Sequence, residues 1–165
     1  DLACLAADGL LDRFGAATQT TQLADGAAAF WVVIAAQEGL RRGGGFFEVY
    51  LSETARALAY PSLPGVDGSR LCYSVYPAAD GRVVLAALEP HLWERFCRAV
   101  ERPDWIPEAF SATSAENPVW LEVCAVFGAR SMAEWEQWAQ ASAVPLRAVA
   151  PARVPTTTLP WAEVE

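Results

Sequence analysis

The segment that begins at Asp25 constrains the fold most, because it predicts one long helix with almost no polar face. Residues 26–41 are dominated by alanine, aliphatic and aromatic side chains. An aspartate such as Asp25 is a common helix N-cap, and the three glycines at 43–45 are expected to end the helix. A helix that is apolar on nearly all sides is typical of a protein interior. The sequence therefore predicts a buried helix here.

The spacing of apolar residues, glycines and prolines predicts further helices and a few strands. Asp80 and Gly81 lie between two apolar runs and predict a hairpin with an Asp-Gly turn. Ser131 and Glu134 have the spacing of a capping box, which indicates a helix start. The other predictions are helices at 2–14, just before 60, 90–101, 119–127 and 131–141, strands at 46–51, 71–76, 82–88 and 145–149, and loop at 60–69.

Composition excludes several classes of function. The chain has 165 residues and a net charge of −8, which argues against binding to nucleic acid or to an anionic membrane surface. All 12 basic residues are arginine, so neither Schiff-base chemistry nor a P-loop lysine is available within this sequence. His91 is the single histidine, which argues against a Cys/His zinc site.

The cysteines and the apolar runs indicate where such a chain would reside. Cys4, Cys72, Cys97 and Cys124 form no CxxC pair and are expected to be buried free thiols. The longest apolar run, 27–36, has ten residues, whereas a membrane helix needs about 20. We therefore expect a cytoplasmic protein that does not enter a membrane.

Several spans in a fixed order resemble the family III CoA-transferases, which include the alpha-methylacyl-CoA racemases. Residues 1–10 are similar to the family's D-x-x-x-x-A-x-x-G-L segment, and 22–26 to its aspartate-plus-helix element. Residues 47–55 resemble its V-D-V-S-L-L-E-A-A passage, with Glu48 in place of aspartate. The span 76–93 resembles Y-x-T-A-D-G-R…G-A-L-E-P-x-F-W, and 130–135 and 144–146 match the closing pattern. The resemblance covers about residues 1–150.

The resemblance implies an α/β fold that is α+β within this sequence. Residues 1–60 would be a helix-rich part of a large Rossmann-like domain and carry the catalytic-aspartate helix. Residues 61–150 would form a small α+β domain with a short antiparallel sheet, and 151–165 a proline-rich extended tail. Family members usually form interlocked homodimers, and a preceding CoA-binding segment is expected in them. No metal, nicotinamide or flavin cofactor is implied, because coenzyme A is carried by the acyl-CoA substrate.

Asp25 occupies the position of the family's catalytic aspartate, by resemblance. In transferases that carboxylate attacks the thioester, and in racemases it exchanges the α-proton. A carboxylate suits both roles, and a helix N-terminus beside it would stabilise an oxyanion. The competing interpretation from the residues alone is a plain helix N-cap. Ala27 and Ala28 stand where the family usually has glycines.

Glu89 is the second candidate, because the resemblance places the glutamate of L-E-P in the racemase active site. Its competing interpretation is a first-turn glutamate that interacts with the helix dipole. His91 lies two residues further on, off the face of Glu89, and is expected to be exposed. Asp1 follows the position of the racemases' catalytic histidine and is otherwise expected to be frayed.

Three functions follow as hypotheses. Residues 88–90, Leu-Glu-Pro, resemble the racemase branch of the family, which favours a racemase-like exchange of the α-proton of a 2-methylacyl-CoA. A CoA-transferase that moves CoA between carboxylic acids through an aspartyl-CoA intermediate is the alternative with the same residue Asp25. A truncated, non-catalytic partner or scaffold domain is the alternative from another class.

Overall fold

The computed structural model describes residues 1–13, 21–59 and 65–150. The chain divides into two compact units, Asp1–Ser62 and Leu63–Glu165. The expectations for the loop at 60–64 and for the tail lie outside the described residues. The first unit is helical, and the second contains a three-stranded antiparallel sheet with helices. The fold class is thus α+β.

Four helices form the described part of the first unit. The single helix predicted at the start of the chain is instead two short helices, because the chain turns at Asp8 and Gly9. Gly9 has φ +75°, a conformation that side chains with a Cβ rarely adopt. The helices are α1 (Leu2–Ala7), α2 (Leu10–Arg13), α3 (Leu23–Arg42) and α4 (Leu51–Ala59).

Helix α3 is the long apolar helix that the sequence predicts, but its predicted burial is wrong. Of its residues, Ala24 and Ala28 are buried within the described structure. Phe30 is 74% exposed, and Val32 and Ile34 are also exposed. Helix propensity and apolar composition determine that these residues form a helix, whereas the burial of the helix depends on the elements that pack against it. The composition of α3 therefore predicts its conformation but not its environment.

By length and composition alone, α3 could also cross a membrane. Its 20 residues meet the usual length for a span, and it lies near the start of the chain. Core helices of globular proteins and signal sequences have the same properties, so this is weak evidence. The predicted absence of membrane contact stays a prediction.

The glycines at 43–45 end α3 as expected. Gly43 is the C-cap and adopts a left-handed conformation with φ +79°. The Gly44 N–H then donates to the Gly39 carbonyl at 2.8 Å, which satisfies a carbonyl at the helix end. The strand predicted at 46–51 is absent from the described structure, where this segment is irregular until α4 begins.

The sheet of the second unit has the order β1–β2–β3, with both pairs antiparallel. The first two strands form the predicted hairpin, but the turn lies one residue earlier than expected. Ala78 pairs with Gly81, so the turn residues are Ala79 and Asp80. The strands are β1 (Tyr73–Ala78), β2 (Gly81–Ala86) and β3 (Leu146–Ala148).

Three α-helices and a 3₁₀ helix complete the described part of the second unit. The helix starts predicted from Pro90 and from the Ser131–Glu134 capping box are confirmed. Asn117 caps its helix through a hydrogen bond that the Val119 N–H donates to Oδ1 at 3.0 Å. The elements are α5 (Pro90–Ala99), the 3₁₀ helix (Pro103–Glu108), which the sequence patterns did not predict, α6 (Pro118–Gly128) and α7 (Met132–Ser142).

Stacked aromatic side chains form the centre of the second unit. The Phe127 ring lies 4.3 Å from that of Tyr76, 5.5 Å from that of Phe96 and 4.8 Å from that of Trp135. All four side chains are fully buried. They come from β1, α5, α6 and α7, so this aromatic cluster joins the sheet to all three α-helices.

The hairpin turn is attached directly to the start of α7. The Met132 N–H donates to Asp80 Oδ1 at 2.7 Å, and the Ala79 N–H donates to the Arg130 carbonyl at 2.9 Å. The Asp80 carboxylate thus binds a helix N–H that the capping box leaves unpaired. The Ala-Asp-Gly sequence is therefore explained by packing within this unit.

Candidate functional site

Asp25 is the third residue of α3, and its helix is capped by a carboxylate from another element. Asp1 Oδ1 accepts hydrogen bonds from the N–H groups of Ala24, at 2.6 Å, and of Asp25, at 3.0 Å. The Asp25 side chain remains 37% exposed, and its Oδ1 lies 3.8 Å from the Asp1 main-chain nitrogen. None of the described residues donates a hydrogen bond to that carboxylate.

Two expectations are corrected by this arrangement. Asp25 is not the N-cap of α3, since that position belongs to Gln22. Asp1 is not frayed, because its side chain is only 11% exposed and holds the start of α3. Glutamine is a weak N-cap residue, so a helix that begins after Gln22 needs a capping group from another part of the chain.

Space beside Asp25 is open on the side of Gly26. A Cβ placed on Gly26 would meet no atom of the described residues within 4 Å. The Gly26 N–H donates to the Gln22 carbonyl at 3.0 Å, so the backbone is regular helix here. The first turn of α3 is therefore exposed at Gly26.

The N–H groups in the first turn of α3, which could stabilise an oxyanion, already have hydrogen-bond partners. The N–H groups of Ala24 and Asp25 are bound to Asp1, and that of Gly26 is bound to Gln22. A thioester oxygen would have to displace the Asp1 carboxylate to reach the first two. These three N–H groups are therefore not free to bind an oxyanion in this structure.

Glu89 lies between β2 and α5, as the sequence predicts, and is the N-cap of α5. Its main chain is extended, and its carbonyl accepts from the Leu92 N–H at 2.9 Å. Its side chain makes no capping hydrogen bond and is exposed. The carboxylate is therefore not used by its own helix. His91, two residues on, is exposed as expected.

Asp25 belongs to the first unit and Glu89 to the second. Each carboxylate lies at the start of a helix and makes no capping hydrogen bond to that helix. Their roles in catalysis stay predictions.

The thiols of the second unit are not suited to nucleophilic catalysis. Burial raises the pKa of Cys97 to about 12 and raises those of Cys72 and Cys124 above their usual value. Each therefore stays protonated near neutral pH, whereas the thiolate is the nucleophilic form. Among residues 1–13, 21–59 and 65–150, no group of three or more His, Cys, Asp or Glu side chains could hold a metal ion.

An ion network on the second unit perturbs carboxylates without forming a site. Arg102 donates to Asp104 and Glu122, and its guanidinium lies 4.2 Å from the centre of the Trp105 ring. These hydrogen bonds hold the pKa values of both carboxyls below their usual range. The network joins the 3₁₀ helix to α6, and a structural role accounts for it.

Two other features of the first unit were not found from the sequence. Asp8 has an 8% exposed side chain that pairs with Arg56 at 3.2 Å, and its Oδ2 is buried without a partner among the described residues. A groove of about 420 Å³ lies between α3 and α4 and includes Trp31, Phe47 and Tyr50 in its walls. Neither feature includes Asp25.

Three solved structures that are similar to this chain come from one protein. The crystal structure of the hypothetical protein Rv3272 from Mycobacterium tuberculosis has a TM-score of 0.73 at 22% identity, and an orthorhombic form has 0.68 at 22%. An aspartate-to-alanine mutant of the same protein has 0.70 at 20%. Each match covers 92% of this chain and 46–47% of the solved chain. This chain thus has the same fold and spans less than half of their length.

No curated protein matches the sequence. The sequence model of CoA-transferase family III matches residues 47–157. That range contains α4 and all described elements of the second unit, and it includes Glu89 but begins after Asp25. It covers about two thirds of the 165 residues. The chain therefore belongs to CoA-transferase family III.

Proposed function

We propose that the chain acts on acyl-CoA thioesters and exchanges the α-proton of a 2-methylacyl-CoA, as an alpha-methylacyl-CoA racemase does. One observation carries the proposal: Asp25 and Glu89 both lie at helix starts, and neither carboxylate is used to cap its helix. A carboxyl group that is free of such bonds can accept a proton as the carboxylate or donate one as the carboxylic acid. Inversion at an α-carbon requires two such groups, one for each face.

The reaction balances with these two groups alone. One carboxylate removes the α-proton, and the electron pair of the C–H bond moves onto the thioester oxygen to give an enolate. The other group, in its protonated form, returns a proton to the opposite face, and the carbonyl re-forms. CoA enters and leaves as part of the substrate, so no further cofactor takes part.

A CoA-transferase is the second candidate, favoured by the family match and by the accessible Asp25 carboxylate. Asp25 would attack the thioester carbonyl and release the CoA thiolate, forming a mixed anhydride. The thiolate would attack the aspartyl carbonyl, release the first carboxylic acid and leave an aspartyl-CoA thioester. An acceptor carboxylate would then take up CoA through the reverse steps. Glu89 has no required part in this reaction.

The discriminating experiment follows a 2-methylacyl-CoA of one configuration in deuterated water. We expect deuterium at the α-carbon together with inversion, and no hydroxylamine-trapped adduct on Asp25. Asp25→Asn and Glu89→Gln should each lower the rate of inversion by about 10²–10⁴-fold, the usual contribution of an acid–base group. Glu94→Gln is the matched control, since Glu94 lies on the same helix and pairs with Arg98.

Other outcomes identify the alternatives. Trapping of Asp25, CoA transfer to a free carboxylic acid and full activity of Glu89→Gln would contradict the racemase and support the transferase. Absence of exchange, transfer and CoA binding would contradict both enzymes and support the scaffold interpretation.

A further inference from the structure

The Asp1 carboxylate holds the start of the helix that carries Asp25. Asp1 is itself the N-cap residue of α1, yet its side chain makes no capping bond to α1. It instead accepts the N–H groups of Ala24 and Asp25, which lie 23 and 24 residues further along the chain. In this long-range contact the Asp1 side chain is nearly buried, with 11% of its surface exposed.

Without the Asp1 carboxylate, the Asp25 side chain could accept hydrogen bonds from the same two N–H groups. In the first turn of a helix, these groups have no partner within the helix, and nearby carboxylates are attracted to them. With Asp1 in place, both groups are satisfied, and none of the described residues donates a hydrogen bond to the Asp25 carboxylate, whose Oδ1 lies 3.8 Å from the Asp1 main-chain nitrogen. The Asp25 carboxylate is thereby left available to a ligand.

We propose that Asp1 is a positioning residue, which caps α3 in place of Asp25 and keeps the Asp25 carboxylate free to react. This inference rests on the proposed function of Asp25. It assigns the cap and the reacting carboxylate of α3 to two different residues. Without Asp1, the Asp25 carboxylate would turn back onto the helix N-terminus and become less accessible and less reactive.

The first test measures the reactivity of Asp25 without any enzyme assay. Carbodiimide and a small amine label free carboxylates, and peptide mass spectrometry gives the labelling rate at Asp25. We expect Asp1→Ala to slow this labelling by about fivefold, the factor that a helix-cap bond supplies. Asp1→Asn retains an acceptor oxygen for the N–H groups, so its labelling rate should stay close to that of the wild type.

Ser131→Ala is the matched control, because Ser131 caps α7 in the second unit. It should lower thermal stability about as much as Asp1→Ala while leaving the labelling of Asp25 unchanged. If Asp1→Ala does not fold, Asp1→Glu serves in its place, since its longer side chain displaces the carboxylate from the N–H groups. An unchanged labelling rate in that variant would overturn the inference.

The second test uses α-proton exchange. Asp1→Ala should lower kcat by at least about tenfold with little change in KM, and Asp1→Asn should restore most of the activity. Equal losses in Asp1→Asn and Asp1→Ala, or an equal loss in Ser131→Ala, would overturn the positioning role. If the wild type exchanges no α-proton, the proposed function fails, and the labelling experiment still decides the role of Asp1.

Discussion

Gly26 lowers the stability of α3 at a position next to Asp25, the candidate catalytic residue. It lies in the first turn of α3, next to Asp25, where glycine is a poorer helix former than alanine. A Cβ at Gly26 would meet nothing in the described structure. Helix stability alone would therefore favour alanine at this position.

The first prediction concerns this residue. Gly26→Ala should raise the free energy of unfolding by about 0.5–1 kcal/mol, because alanine loses less backbone entropy in a helix. Under the proposed function, the added methyl group on the residue next to Asp25 should also raise KM for acyl-CoA or lower kcat. Urea unfolding and steady-state kinetics measure the two effects. Gly128→Ala, in α6, is the control, because it also meets open space but lies in the second unit.

The second prediction concerns Cys97. Its pKa is about 12 in the folded chain against an ordinary value of 9.0. A raised pKa means that the folded state binds the proton more tightly, so the stabilisation is complete below pH 9 and is lost as the pH rises toward 12. Burial raises the pKa of Tyr76 in the same direction. Thermal unfolding should therefore shift to lower temperature above pH 9.

Cys97→Ala is the test of that cause. It removes one of the titrating groups, so its unfolding temperature should fall less steeply between pH 9 and 11 than that of the wild type. An identical slope would mean that Cys97 does not contribute to the alkaline loss.

At the scale of elements, the attachment of the β1–β2 hairpin to α7 depends on one carboxylate. Asp80→Ala removes the acceptor for the Met132 N–H and should destabilise the chain by about 1 kcal/mol, the usual cost of a lost helix cap. Asp80→Asn should retain most of the stability, because its amide oxygen can accept the same bond. Urea unfolding of the three proteins checks this, and equal midpoints for Asp80→Ala and the wild type would contradict it.

The elements also show which parts of the fold follow from sequence. Helices α5 and α7 were predictable because Pro90 and the Ser131–Glu134 pair are local signals that do not depend on distant residues. The hairpin was predictable as well, but its turn lies one residue earlier than the predicted Asp-Gly turn. Asp80 in this turn accepts a hydrogen bond from the start of α7, a contact that no local pattern indicates. Local chemistry determines an element, and its tertiary contacts determine its limits.

The candidate site was less predictable than the elements. The family resemblance identifies Asp25 and Glu89 as candidates, whereas the residues alone favour a helix N-cap for Asp25 and an interaction with the helix dipole for Glu89. The structure rejects the capping role for Asp25, because a residue 24 positions earlier supplies the acceptor. Contacts of that separation leave no periodic signal in a sequence.

At the scale of the whole molecule, the two units differ in how much core each one contains. The buried cluster of the second unit includes the large side chains of Trp93, Trp105 and Trp135. The described cluster of the first unit consists of two leucines and three alanines. Buried apolar area is the main source of stability, so the second unit should be the more stable.

Amide hydrogen exchange tests this difference. We expect the slowest exchange in β1, β2 and α6, and faster exchange along α3, whose apolar residues are mainly exposed. Mass spectrometry of peptides from the two units provides the comparison. Protection in α3 equal to that of β2 would contradict the expected order of stability.

The placement of the tryptophans gives the chain its own optical probes. Trp31 is the only tryptophan within 1–62 and is 50% exposed, whereas Trp93, Trp105 and Trp135 are buried in the second unit. Acrylamide should therefore quench the red-shifted emission of Trp31 before the blue-shifted emission of the three buried tryptophans, with the half-buried Trp120 and Trp138 in between. A ligand that binds near α3 would shield Trp31 from the quencher, so fluorescence can report on the first unit without any label.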